Sequence, residues 1–134
     1  MGDPAGVGAE ITLRALCRPE VTGGCTAVVL GDAAALRDAL RITGLSAEIR
    51  EIDSPEQARG EPGVVECISP GMLAPGAWEY GKVSALCGRC AYEYIRSGIE
   101  LALAGRLHGV VTGPINKEAL HLAGYDYAGH TEIF

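Results

Sequence analysis

Short apolar runs that stop at turn residues, each followed by a helical stripe, constrain this chain more than any other feature. Ala27-Val28-Val29-Leu30 stops at Gly31-Asp32, and a helix is predicted over Ala33 to Ile42 with Asp32 as N-cap and Gly44 beyond its end. A looser run, Ala47 to Ile52, is a second strand candidate. Val64 to Ile68 is a third, and His108 to Thr112 a fourth. Between the last two lies the longest predicted helix, Ser84 to Ala104. Its broad apolar stripe includes Leu86, Cys90, Tyr94 and Leu101. A shorter helix over Asn116 to Ala123 follows the fourth run. At the front, Gly2 to Gly8 is a Gly/Pro-rich turn, and a helix over Gly8 to Leu16 is stopped by Pro19, with Val21 to Gly24 as loop. Strand and helix alternate throughout, which implies an α/β layered domain with a mostly parallel sheet.

Length and composition agree with that. The 134 residues suffice for one domain with a core. Aromatics are only 5% of residues, so the core must be built from Ala, Val, Leu and Ile, which suits a helix-covered sheet. The net charge of -6, without a Lys/Arg cluster, argues against nucleic acid and anionic membrane as partners. No apolar run approaches the ~20 residues that cross a bilayer. Five cysteines at irregular spacing read as reduced thiols of a cytoplasmic protein. Met1-Gly2-Asp3-Pro4 opens directly on turn residues, and Phe134 ends just after a polar pair. The expectation is therefore a fragment of a longer enzyme, incomplete at both ends, with its first strand missing from the front.

Each motif has a plain reading beside the chemical one. Gly2-Asp3-Pro4-Ala5-Gly6-Val7-Gly8 invites a phosphate loop. It fails the dinucleotide fingerprint at Ile11 and lacks the Lys-Ser/Thr of a nucleotide-binding loop, so it reads equally as a tight strand-to-helix turn. Cys87-Gly88-Arg89-Cys90 has redox spacing, but both thiols fall within a helical stripe and read as packing. His108 and His121 read as solvated. Lys117 is either a local cation for an anionic ligand or a solvated helix residue, and Asn116 is a good N-cap. His130-Thr131 stands apart. Gly129 allows close backbone approach, and an imidazole beside a hydroxyl can bond a polyol or an acyl phosphate. The plain alternative is that these residues begin a helix.

Taken together, Gly2 to Ile11, Gly81-Lys82-Val83-Ser84, Val111 to Lys117 and Gly129-His130-Thr131-Glu132-Ile133-Phe134 closely resemble the 4-hydroxythreonine-4-phosphate dehydrogenases of pyridoxal phosphate synthesis. The four blocks occur in the family's order and cover the chain from end to end. The sequence departs from the usual pattern at Ala128, where a Pro commonly precedes Gly-His-Thr. The resemblance implies a fold like the isocitrate and isopropylmalate dehydrogenases, with two domains in a homodimer. Residues 1–134 would then be the N-terminal part and the second domain lies outside this chain. It also implies NAD-dependent oxidation and decarboxylation of 4-hydroxythreonine 4-phosphate, with His130 and Thr131 as substrate-binding residues. A divalent metal (zinc, magnesium or cobalt) is implied too, its three histidines in motifs beyond Phe134. Catalytic and NAD-binding residues are not assignable here. Two alternatives stand beside this reading: a related dehydrogenase of threonate or erythronate 4-phosphate, and a non-catalytic α/β fragment. The fragment alone is expected to be inactive.

Overall fold

The computed structural model describes residues 1–134. Three strands, β1 (Val28–Leu30), β2 (Glu48–Glu51) and β3 (Val64–Ile68), form an all-parallel sheet in the order β1-β3-β2. Val29 lies opposite Cys67, and Ile49 opposite Val65. Around it stand α1 (Gly8–Leu16), α2 (Pro19–Thr22), α3 (Ala33–Thr43), α4 (Ala85–Leu103), α5 (Lys117–Leu122) and α6 (His130–Ile133).

Alternation along β1 separates two cores, because successive strand residues face opposite ways. Val29 packs with Leu13 of α1, Leu36 and Ala39 of α3, and Val65 and Cys67 of β3. Leu30 packs instead towards Cys90 and Tyr94 of α4, with Ala35 and Leu73. Helices therefore cover both faces, which is why β1 is apolar along its length and β3 is apolar apart from the hydrogen-bonded Glu66.

Several boundaries follow from local chemistry. Gly44 ends α3 in the left-handed conformation (φ 67°) that only glycine enters without cost. The Ser84 hydroxyl accepts from Cys87 N at 3.2 Å and starts α4. The Asn116 side chain accepts from Ala119 N at 3.0 Å and starts α5.

Two expectations need correction. Pro19 does not simply end a helix. It opens the short α2 at the first helical position, where a missing N–H costs nothing. The expected fourth strand, His108 to Thr112, makes no ladder: no backbone–backbone hydrogen bond involves residues 107–113. Its apolar residues have no neighbouring strand, and Val111 is 98% exposed.

Asp32 occupies the N-cap position of α3, yet its carboxylate does not cap the helix. It accepts instead from Tyr94 Oη at 2.6 Å, Leu73 N at 3.3 Å and Ser69 Oγ at 3.4 Å. One buried carboxylate thus ties the end of β1 to α4 and to the irregular strap over residues 69–84. That strap carries Trp78, the only tryptophan, set edge-on to Tyr80 with ring centroids 6.4 Å apart. Glu66, also buried, accepts from the backbone N–H groups of Arg59 and Gly60 at 2.8–3.0 Å and fastens the loop before β3.

Candidate functional site

The front loop is built by close backbone approach. Asp3 Oδ1 accepts from Ala5 N at 2.8 Å, and Gly6 N donates to Asp3 O at 3.1 Å, making the local turn the sequence suggests. Burial raises the Asp3 carboxyl above its ordinary value. A Cβ at Gly2 (φ 87°) would lie 2.3 Å from Pro114 O, so only glycine lets this loop sit on the Gly113-Pro114 turn. Asp3 N donates to Pro114 O at 2.9 Å, and Gly81 N to Ala5 O at 2.8 Å. Three of the four sequence blocks that are far apart in the chain therefore meet here. Residues 2–5 are buried in these contacts, which favours the strand-to-helix turn over an open ligand loop.

The fourth block arrives through α4. Gly88 lets α5 pack directly on α4: a Cβ there would lie 1.9 Å from Ala119 O. Beyond α5, Tyr125 and Tyr127 stack on Tyr92 of α4, with centroids 3.8 and 5.9 Å away and rings 14° and 12° from parallel. This pins the loop leading to Gly129. Gly129 (φ 156°) is the N-cap of α6, and the Glu132 carboxylate reaches back to accept from Ala128 N, closing the turn.

That turn presents His130 to a cavity of about 1050 Å³, whose lining includes Met1, Leu30, Thr112, Gly113 and Phe134. The His130 Nε2 is buried without a hydrogen-bond partner. A buried imidazole nitrogen with no partner is costly unless something else supplies one. Thr131 follows on the same helical turn. Consecutive helix residues diverge by ~100°, and Thr131 is exposed and outside the cavity lining. The plain reading, that these residues begin a helix, thus describes the backbone. It leaves the imidazole at the cavity and the hydroxyl in solvent. The Lys117 Cε lies 3.9 Å from where a Cβ of Gly129 would be, so the helix that Asn116 caps brings an ammonium beside the His130 turn.

Of the remaining candidates, only His108 touches the same cavity. Cys87 and Cys90 are fully buried, and burial pushes the Cys90 thiol up to about 12, which fits packing rather than redox exchange. His121 Nδ1 pairs with Asp126 at 3.2 Å on the surface, and His108 is exposed at the cavity rim. Also in the cavity lining, Arg106 grips Glu56 through two hydrogen bonds, 2.8 and 2.6 Å, and that guanidinium holds the Glu56 carboxyl down at about 2. No group of three or more His, Cys, Asp or Glu side chains is arrayed to hold a metal ion, so the residues of this chain do not by themselves fit the implied metal. Sequence reasoning missed the tyrosine stack. Its signal was Tyr125-Asp126-Tyr127 just before Gly129, but the partner, Tyr92, is known only once α4 and the loop are packed.

The family model described as "Pyridoxal phosphate biosynthetic protein PdxA" matches residues 23–134, the stretch that includes α4, α5 and the His130 turn. The chain belongs to the PdxA family. Among PdxA relatives, a 4-hydroxythreonine-4-phosphate dehydrogenase of Trichlorobacter lovleyi is 42% identical, and the match covers 99% of this chain and 40% of that protein. A D-threonate 4-phosphate dehydrogenase of Cupriavidus necator is 37% identical over 99% of this chain and 40% of its own length. The crystal structure of a 4-hydroxythreonine-4-phosphate dehydrogenase from Burkholderia phymatum superposes with a TM-score of 0.96 at 42% identity, over 99% of this chain and 40% of that one. The chain thus spans about 40% of the length of the relatives it matches, and its α/β architecture is that of a PdxA dehydrogenase.

Proposed function

We propose that residues 1–134 are the N-terminal part of a two-domain, homodimeric, NAD-dependent dehydrogenase of a 4-phosphorylated hydroxy acid. The reaction begins with a secondary alcohol. NAD, when bound, would supply the oxidant that takes a hydride from this carbon as its oxygen loses a proton, and the β-keto acid so formed would lose carbon dioxide. This chain's share is to bind and orient. His130 offers Nε2 to a substrate oxygen. Lys117 supplies a cation beside it in an otherwise acidic protein. Thr131, facing outward, bonds the substrate from the side that the rest of the polypeptide covers. Holding the reacting carbon in place matters greatly, since a ~1 Å displacement can cost ~100-fold in rate.

The observation that carries this reading is the unpartnered His130 Nε2 in a cavity of a PdxA-family chain. The substrate we favour is 4-hydroxythreonine 4-phosphate. The second reading, threonate 4-phosphate, draws on relatives bearing that name. The two acids differ at C2, an amine in one and a hydroxyl in the other. A panel of both with NAD, on a polypeptide extending this chain to the relatives' length, separates them. In that polypeptide His130→Ala is expected to lower kcat/KM at least ~100-fold with the far-UV spectrum unchanged. Unaltered kinetics would remove His130 from the site.

A further inference from the structure

The imidazole that faces the cavity stands on a short base. α6 has four residues, and a single helical turn has little stability of its own. Before it, Gly129 has φ 156° and ψ -169°, a backbone region open almost only to glycine, and glycine is also the residue with most freedom to leave it. The tyrosine stack that pins the incoming loop ends at Tyr127. Between that anchor and His130 one side-chain hydrogen bond holds the backbone: Ala128 N donates to Glu132 Oε2. The Glu132 side chain thereby closes a ring over residues 128–132, and Gly129 and His130 both lie inside it. At the other end of the ring Glu132 N donates to Gly129 O at 3.2 Å. Glu132 itself is exposed and takes no part in the cavity lining. The donor exists because residue 128 is alanine. The proline that commonly precedes Gly-His-Thr fixes its own φ but has no N–H to give.

We propose that Glu132 is the positioning residue of His130: by holding Ala128 N it aims Nε2 into the cavity, and in this chain that bond does the work of a proline ring at position 128. Glu132 acts through His130 and touches no substrate. The inference rests on His130 being a substrate-binding residue. Reach, not charge, is what this role requires. Any side chain that places an acceptor oxygen where Oε2 lies can hold the N–H, and a carboxylate holds it more strongly than an amide.

The test uses the polypeptide extended to the relatives' length. Glu132→Ala is expected to lower kcat/KM about 10-fold, a part of the loss that follows when a substrate is misplaced by ~1 Å. Glu132→Gln keeps an acceptor at the same reach and should stay within about 3-fold of the parent. Glu132→Asp keeps the charge but falls one methylene short, and should behave like Glu132→Ala. In a His130→Ala background, Glu132→Ala should add less than about 2-fold, since no imidazole remains to be aimed. With histidines labelled with 13C, the His130 ring signal should move in the Ala and Asp forms and stay in place in the Gln form. An active Asp form with an inactive Gln form overturns the proposal, because charge would then matter and not reach. Multiplying losses in the double variant overturn it too, as does a ring signal unmoved in all three forms. Should Glu132→Ala fail to fold, the Gln and Asp forms carry the same comparison, and failure of the Gln form to fold overturns the proposal. Unaltered kinetics in His130→Ala would instead remove the substrate-binding role, and the ring signal would then decide the positioning by itself.

Discussion

Asp32 shows how much a single side chain can hold. It receives the Tyr94 hydroxyl, the Leu73 N–H and the Ser69 hydroxyl, and it is 1% exposed. Burial and this carboxylate both push the Tyr94 phenol upward, so it stays a donor at any ordinary pH. Tyr94→Phe removes the shortest of these bonds and leaves the carboxylate under-satisfied, which should cost about 1–3 kcal/mol in a denaturant melt. Thiol chemistry gives a second residue-scale prediction. Cys67, Cys87 and Cys90 are buried, and burial pushes Cys67 and Cys90 up to about 12, whereas Cys25 is exposed. A thiol reagent should label Cys25 quickly in the native chain and reach the three buried cysteines only after unfolding. Rapid native labelling of Cys90 would contradict the packing described here. Asp32 is also where sequence reasoning fell short. Its position before a helix suggested a cap, and only the packed strap and α4 show which donors outcompete the helix terminus.

At the scale of elements, what was legible had local causes. Gly44, Ser84, Asn116 and the strand-ending Gly31-Asp32 placed α3, α4, α5 and β1 within a residue or two, because caps and turns act over a few neighbours. The run 108–112 misled because an apolar sequence becomes a strand only when a partner offers a ladder, and partners are not local information. The candidate site divides the same way. Gly-His-Thr marked the His130 turn, while the tyrosine stack that holds it joins residues more than thirty apart. The contact of α4 with α5 can be tested directly. Gly88→Ala puts a methyl into the Ala119 carbonyl, so α5 must withdraw. Overpacking of this kind should lower stability by about 1–3 kcal/mol and shift the amide resonances of α5. Tyr92→Leu should leave α4 intact but speed amide exchange over residues 125–130 by about 10-fold, reading the stack's hold on the loop.

For the 134-residue chain taken as a whole, a free Met1 amine makes stability rise with pH. Burial lowers it from 8.0 to about 6 in the folded chain. Below about pH 6 the amine is charged both folded and unfolded, and the folded state carries the full burial penalty. Between about 6 and 8 the unfolded chain binds more proton, so stability should rise across that window, by roughly 1–2 kcal/mol after allowing for partial solvation. Acetylating the N-terminus should flatten the rise, and an unchanged slope would deny the amine its buried place. The strap over residues 69–84 has a practical consequence as well. Its lone indole, Trp78, lies against the ring of Tyr80 in a segment tied down by Asp32 at one end and by Asp38 and the Ala5 carbonyl at the other. Red-edge excitation therefore gives an optical reporter of one flap, and a shift in its emission ahead of the helical signal would time the peeling of that flap separately from the collapse of the sheet.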